Sequence, residues 1–170
     1  MNRISLLICS TIATFALAVM PTGAVAQQKS LKEQLVGTWM LVQSTGKRPD
    51  GSPNWGQNPT GAIVFDANGR YTSILIRSDI PKYASNNRMS ATPAEERATV
   101  QGSIGTVGSY MVDEADRSYT IQVDGSTFPN WNGTRQKRTV VSISADELKV
   151  DNPSPSIGGP TTQLVYRRAK

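Results

Sequence analysis

Gly61-Ala62-Ile63-Val64-Phe65-Asp66-Ala67-Asn68-Gly69-Arg70-Tyr71-Thr72-Ser73-Ile74-Leu75-Ile76-Arg77 reads as two β-rich runs joined by a tight link at Ala67 to Gly69. Branched and aromatic side chains fill both arms; these pack well on a pleated surface and lose freedom in a helix. Six further runs of the same character flank this hairpin: Thr38 to Ser44, Gly105 to Val112, Ser118 to Asp124, Arg135 to Ile143, Leu148 to Asn152 and Thr161 to Arg168. Two segments instead open with Ser/Thr-x-x-Glu, the pattern that satisfies the free N–H groups of a helix's first turn. Ser30-Leu31-Lys32-Glu33 predicts a short helical turn ending before Gly37. Thr92-Pro93-Ala94-Glu95, with Pro at the first helical position, predicts a helix to about Gln101.

The links between the eight runs alternate in length. Thr45 to Thr60, Ser78 to Ile104, Gly125 to Thr134 and Pro153 to Pro160 are long, whereas Ala67 to Gly69, Asp113 to Arg117 and Ser144 to Glu147 are tight. If successive strands are antiparallel neighbours, all long loops gather at one end and all tight turns at the other. Eight strands also suffice to close a barrel whose interior holds side chains or one small ligand, and closure removes exposed sheet edges. The expected fold is therefore all-β: an eight-stranded antiparallel up-and-down β-barrel with a short N-terminal helical turn and one helix between strands 3 and 4. Its shape is a cup, tight at the base and rimmed by long loops.

Residues 1–26 read as an export signal and 27–170 as a single domain. Met1-Asn2-Arg3 is a short charged start, Ile4 to Met20 is largely apolar, Pro21-Thr22-Gly23 breaks the run, and Ala24-Val25-Ala26 is a small-x-small cleavage site. An uncleaved anchor is the competing reading, since the apolar run approaches the roughly 20 residues that span a bilayer. Ser10, Thr11 and Thr14 dilute it, however, and a complete cleavage site follows. The expected location is periplasmic or secreted, with no integral membrane segment after cleavage.

Removing that leader changes the inventory. Of 18 Lys+Arg only Arg3 is lost, leaving 17 basic against 13 acidic groups, and the single cysteine, Cys9, goes with it. The chain contains no histidine. Ser-His-Asp and Cys-His nucleophiles, imidazole or thiolate zinc sites and disulfide staples are thereby excluded from the mature domain. No metal and no cofactor are expected. Asp113, Glu114 and Asp116 lack calcium-loop spacing and read as a solvated hairpin turn. Gly102-x-x-Gly105-x-x-Gly108 follows a helix and precedes a strand, the reverse of a dinucleotide fingerprint. The modest positive balance lacks the dense stripe that nucleic acid requires; weak contact with anionic surfaces is its milder use.

At the base, Gly37-Thr38-Trp39 enters the first strand and Tyr166-Arg167-Arg168 ends the last, so an arginine can lie across the indole face. Gly-x-Trp after a short helix, with a basic residue closing the eighth strand, resembles the lipocalin pattern. Leu35-Val36-Gly37-Thr38-Trp39, Gly61 to Asp66 with Asn68-Gly69-Arg70-Tyr71, Pro129 with Gly133 to Arg138, and Leu164 to Arg168 together resemble the bacterial and fungal lipocalin-like domains. The resemblance implies a calycin-type barrel that binds a small molecule, without a defined reaction. Members often carry a histidine in the fifth strand; here Gln122 and Val123 stand in that region, so chemistry that relies on the histidine is not carried over.

Strand alternation names the candidate lining, because residues two apart share a face. If Trp39 points inward, so do Leu41 and Gln43. The third strand leaves two sets open, Tyr71, Ser73, Leu75 and Arg77 against Arg70, Thr72, Ile74 and Ile76. Tyr119, Ile121 and Val123 form the apolar face of the fifth strand, and Leu164 and Tyr166 one face of the eighth. The sixth strand is divided: Gln136 and Arg138 face either inward with Val140 and Ser142 or outward beside Arg135 and Lys137. Inward, Arg138 would offer a two-pronged hydrogen bond to a carboxylate or enolate. Trp55, Tyr83, Phe128 and Trp131 sit in long loops at the expected rim, either lining a ligand or plugging the cup, and Ser78 to Met89 reads as a lid.

The candidate ligand-binding set is thus Gln43, Trp55, Tyr71, Leu75, Tyr119, Ile121, Phe128, Trp131, Gln136, Arg138 and Leu164, with Gly37, Trp39, Tyr166, Arg167 and Arg168 forming the closed end. The leading reading is an exported barrel that binds or carries a small, partly apolar molecule with room for an anionic group. A minimal isomerase or cyclase, or a filled barrel acting through its loops on another protein, are the alternatives. Binding is favoured over catalysis because no side chain that titrates near neutrality is present to move protons.

Overall fold

Capping chemistry and strand patterning place the two α-helices and eight strands of the computed structural model, which describes residues 29–170; the expected leader and Cys9 lie outside them. Helix α1, Leu31–Leu35, starts at Ser30, whose hydroxyl accepts the Glu33 N–H at 3.2 Å while the Glu33 carboxylate accepts the Ser30 N–H at 2.8 Å. The strands are β1 (Gly37–Ser44), β2 (Thr60–Phe65), β3 (Arg70–Ile76), β4 (Ser103–Asp113), β5 (Ser118–Ser126), β6 (Arg135–Ile143), β7 (Glu147–Asn152) and β8 (Thr162–Arg168). Helix α2, Pro93–Gly102, carries the second capping box, between Thr92 and Glu95. Two 3-10 turns not expected from the sequence, Arg88–Ser90 and Pro129–Trp131, lie within long loops.

Each strand pairs antiparallel with the next and β8 returns to β1, so the sheet is a closed eight-stranded barrel. The third strand is settled by burial: Tyr71, Ser73 and Leu75 point inward, and Arg70, Thr72 and Ile74 outward. The sixth is settled likewise, with Gln136, Arg138 and Val140 buried.

Bulges correct the simple alternation. Between Leu41 and Gln43 the β1–β8 register shifts, so Gln43 pairs with Val165, is exposed, and does not line the cup. A second shift, between Val140 and Ser142 on β6, turns Ser142 outward and brings Ile143 against the core. An extra residue in one strand moves everything beyond it to the opposite face.

The core fills the lower barrel. Phe65 meets Tyr71, Tyr110 and Tyr119 edge-on at ring separations of 5.5, 5.0 and 5.0 Å, a geometry that aligns positive ring edges with negative faces. Beneath it Trp39 is fully buried and its indole N–H donates to the Leu35 carbonyl at 2.7 Å. The Arg168 guanidinium covers the indole face at 3.9 Å and donates to the carbonyls of Gln34, Val36 and Ala145. Gly37 permits this approach: its φ is +128°, and a Cβ there would lie 2.7 Å from the guanidinium. Arg167, also expected at this end, is exposed on the outer face. Glu114, in the β4–β5 turn, accepts the N–H groups of Leu31 and Lys32 at 2.8 and 3.1 Å, so that turn anchors α1 across the base.

The Ser78 to Met89 segment, expected as a lid, is tied to α2. Tyr83 donates to Thr99 at 2.8 Å and the Ala84 N–H to Glu95 at 2.8 Å, which fasten it onto α2.

Arg168→Lys is expected to lower stability by about 2–4 kcal/mol, because a point ammonium cannot serve three carbonyls and stack on an indole together. Urea denaturation of the two proteins measures this; Arg168→Ala should fall by a similar or larger amount.

Candidate functional site

The upper half of the barrel leaves a cavity of about 50 Å³, lined by inward residues of the strands and by loop residues at the long-loop end. That volume holds a few waters or a group the size of a carboxylate, taking roughly 10–15 Å³ per water. Of the expected ligand set, Trp55, Tyr71, Leu75, Tyr119, Ile121, Trp131, Gln136, Arg138 and Leu164 line it together. Gln43 is excluded by the β1 bulge. Phe128 belongs instead to a wider groove of about 570 Å³ at the mouth, packed edge-on to Trp131 at 5.7 Å. The groove shares Asn54, Trp55, Ile104, Ser156 and Ile157 with the cavity, so the two form one continuous recess.

Arg138 dominates the cavity. It is only 7% exposed, yet the one hydrogen bond its side chain makes among the described residues runs from Nη1 to the neighbouring Lys137 carbonyl at 2.8 Å. Its guanidinium lies 5.9 Å from the centre of the Trp131 ring. Among the described residues no Asp or Glu is within salt-bridge distance of it, and none lines the cavity. A guanidinium offers five N–H donors in a planar fork, so most of its donor capacity remains for a ligand.

Tyr71, Tyr119 and Tyr166 line the same space. Burial pushes the phenols of all three above their ordinary range, most strongly in Tyr119 and Tyr166, while the Arg138 charge partly opposes each shift. The three hydroxyls are close enough to raise one another: Tyr71 raises Tyr119 and Tyr166, and Tyr166 raises Tyr119. All three therefore stay protonated near neutral pH, and each hydroxyl has a proton available to donate. Ser73 and Thr106 add hydroxyls to the wall; Leu75, Ile104, Ile121, Val123 and Leu164 supply the apolar remainder. Chemically the cavity is a donor-rich floor within apolar walls, matched to negatively charged oxygen.

Tyr166 thus corrects its expected role: it is a cavity residue as well as part of the closed end. The sequence reading also missed Asn54, Ile104, Thr106, Asn152 and Thr162. Ile104 and Thr106 could have been found had β4 been started at Ser103, since they alternate with Gly108 and Tyr110. Asn54 carried no strand signal. It occupies a turn closed by the Gly56 N–H donating to the Pro53 carbonyl at 3.1 Å, in a loop folded back by a Lys47–Pro53 bridge.

No metal-holding cluster of His, Cys, Asp and Glu is found among the described residues, and no helix there is long and apolar enough to cross a membrane. No curated protein matches the chain. Among solved structures it is similar to a bovine odorant-binding protein in complex with a selenium-containing odorant, at 14% identity, over 84% of this chain and 74% of that one, with a TM-score of 0.43. The family model described as a lipocalin-like domain matches residues 36–168, from the end of α1 to the arginine that closes the base. With the closed eight-stranded barrel, this match shows that the chain belongs to the lipocalin-like domain family.

Proposed function

We propose that the protein binds a small, partly apolar organic anion, with its carboxylate or equivalent oxyanion seated on Arg138. One observation carries the reading: a buried guanidinium faces a cavity with no acidic side chain to neutralise it. Keeping an unpaired charge out of water is costly, and the cost is offset when a ligand brings the counter-charge. Protonated Tyr71, Tyr119 and Tyr166 donate to the same anion, and the aliphatic walls take its apolar part. Family membership supports a binding role over a defined reaction, and the tyrosines, held in the protonated state, serve as donors rather than bases. We further propose that residues 1–26 direct export to a periplasm or the outside, with cleavage after Ala26.

Titration of saturated carboxylates from propionate to decanoate, by calorimetry, tests the anion site. Arg138→Met should weaken binding by at least about tenfold, a loss of roughly 1.4 kcal/mol, while leaving the ligand-free protein as stable or up to about 2 kcal/mol more stable. Neutral primary amides of the same acids binding equally well would overturn the reading.

The tyrosines predict a pH dependence of stability. Because their folded pKa values exceed the unfolded value of about 10, the folded state holds its protons where the unfolded chain loses them. Their contribution is present in full below pH 10 and is lost above it, at up to about 1.4 kcal/mol per pH unit for each tyrosine. Urea midpoints should hold level to about pH 9 and fall above 10, with a shallower fall in Tyr119→Phe.

For export, intact mass of protein recovered from its native host should correspond to a chain beginning at Gln27; a chain retaining residues 1–26 would sink the assignment.

A further inference from the structure

Asn54 stands where the inner cavity opens into the mouth groove, and it lines both. Its side chain is more than nine-tenths buried, and its Oδ1 is sealed from solvent with no hydrogen-bond partner among the described residues. Buried polar atoms are almost always paired, so an orphan of this kind calls for a reason.

The surroundings hold the amide in place. The Asn54 N–H donates to the Gly46 carbonyl at 3.0 Å, and the carboxamide lies flat on Gly46, where a Cβ would come within 2.6 Å of Nδ2. With Oδ1 sealed, the end of the carboxamide that can meet a ligand is the other one, and rotation about the last side-chain bond decides whether it is an N–H or a C=O.

The volumes complete the case. The inner cavity takes little more than the charged head of a ligand, whereas the groove beyond Asn54 has about 570 Å³ walled partly by Trp55, Val100, Ile104, Phe128 and Ile157. A ligand seated on Arg138 and larger than its head extends into the groove across the rim that Asn54 shares with Trp55, Ile104, Ser156 and Ile157. A plain hydrocarbon chain on that path would leave the carboxamide unpaired.

We propose that Asn54 is a specificity-determining residue that selects organic acids carrying an amide partway along the chain: carboxylate on Arg138, amide on Asn54, apolar tail in the groove. A secondary amide has both an N–H and a C=O, and so pairs with the carboxamide in either orientation. This inference rests on the anion site proposed above.

The test uses the hexanoyl amides of glycine, β-alanine and γ-aminobutyrate, which move the amide away from the carboxylate one methylene at a time. Each is titrated against the saturated acid of equal chain length. At one spacing the amide acid should bind about five- to tenfold tighter than its saturated counterpart, the value of one net hydrogen bond. Asn54→Leu, of similar shape, should erase that margin, so that amide and saturated acids of equal length bind alike. It should also raise the melting temperature of the ligand-free protein, because an unsatisfied buried group is replaced by an apolar one.

No margin at any spacing, a margin that survives Asn54→Leu, or a melting temperature lowered by that substitution would each overturn the inference. Arg138→Met separates its failure from that of the anion site. Saturated acids that bind the wild type and lose affinity in Arg138→Met, with no amide margin, remove only the role of Asn54. Saturated acids that do not bind, or that bind Arg138→Met equally, remove both.

Discussion

Arg168 lies 3.9 Å above Trp39 and its guanidinium reaches carbonyls on three segments: the end of α1, the link into β1, and the β6–β7 turn. A closed sheet must bring its last strand back to its first in a single register, and this contact holds the residues where that register begins. Trp39 pairs with Arg168 across the seam, and Leu41 with Tyr166. Because Glu114 holds the other end of α1, the base is tied by hydrogen bonds to backbone groups that helix ends leave without internal partners. With this end fastened and packed by aromatic rings, the other can remain polar and incompletely filled.

The division is visible residue by residue. Inward positions near the base are Trp39, Phe65 and Leu148, each almost wholly buried among apolar neighbours. Inward positions nearer the mouth include Ser73, Thr106, Gln136, Arg138, Asn152 and Thr162, all buried and all polar. A barrel optimised for stability alone would carry apolar side chains at these places. That they are polar, and that Arg138 and Asn54 lack the partners such groups ordinarily have, locates the departure from local consistency at the mouth. Departures of that kind mark functional positions more often than structural accidents.

Much of this was legible in the sequence. Alternating link lengths gave the up-and-down order and the two unlike ends, and Gly-x-Trp with the terminal arginines gave the base contact. Strand alternation placed Tyr119, Ile121 and Leu164 inward. What failed did so for definite physical causes. Gln43 and Ser142 were misassigned because a bulge reverses the side-chain period, and a bulge is fixed by pairing with a distant strand rather than by local composition. The orientations of Tyr71 and Arg138 were undecidable from their own strands, where both faces carry polar and apolar residues; closure of the barrel decided them. Asn54 was invisible because its position comes from a turn and a short bridge within an irregular loop.

The same geometry weighs on the choice between binding and catalysis. Arg138 with Tyr71, Tyr119 and Tyr166 would stabilise negative charge developing on an oxygen, which is the electrostatic half of an isomerase or cyclase. The other half is a group that takes and returns a proton near neutral pH. Burial raises all three phenols away from neutrality, and the described residues lining the cavity include no carboxylate. The donors are therefore better matched to an anion that arrives already charged than to one generated in place. A ready-made anion needs only a counter-charge and a site apart from bulk water, and a buried arginine in a cavity with apolar walls supplies both.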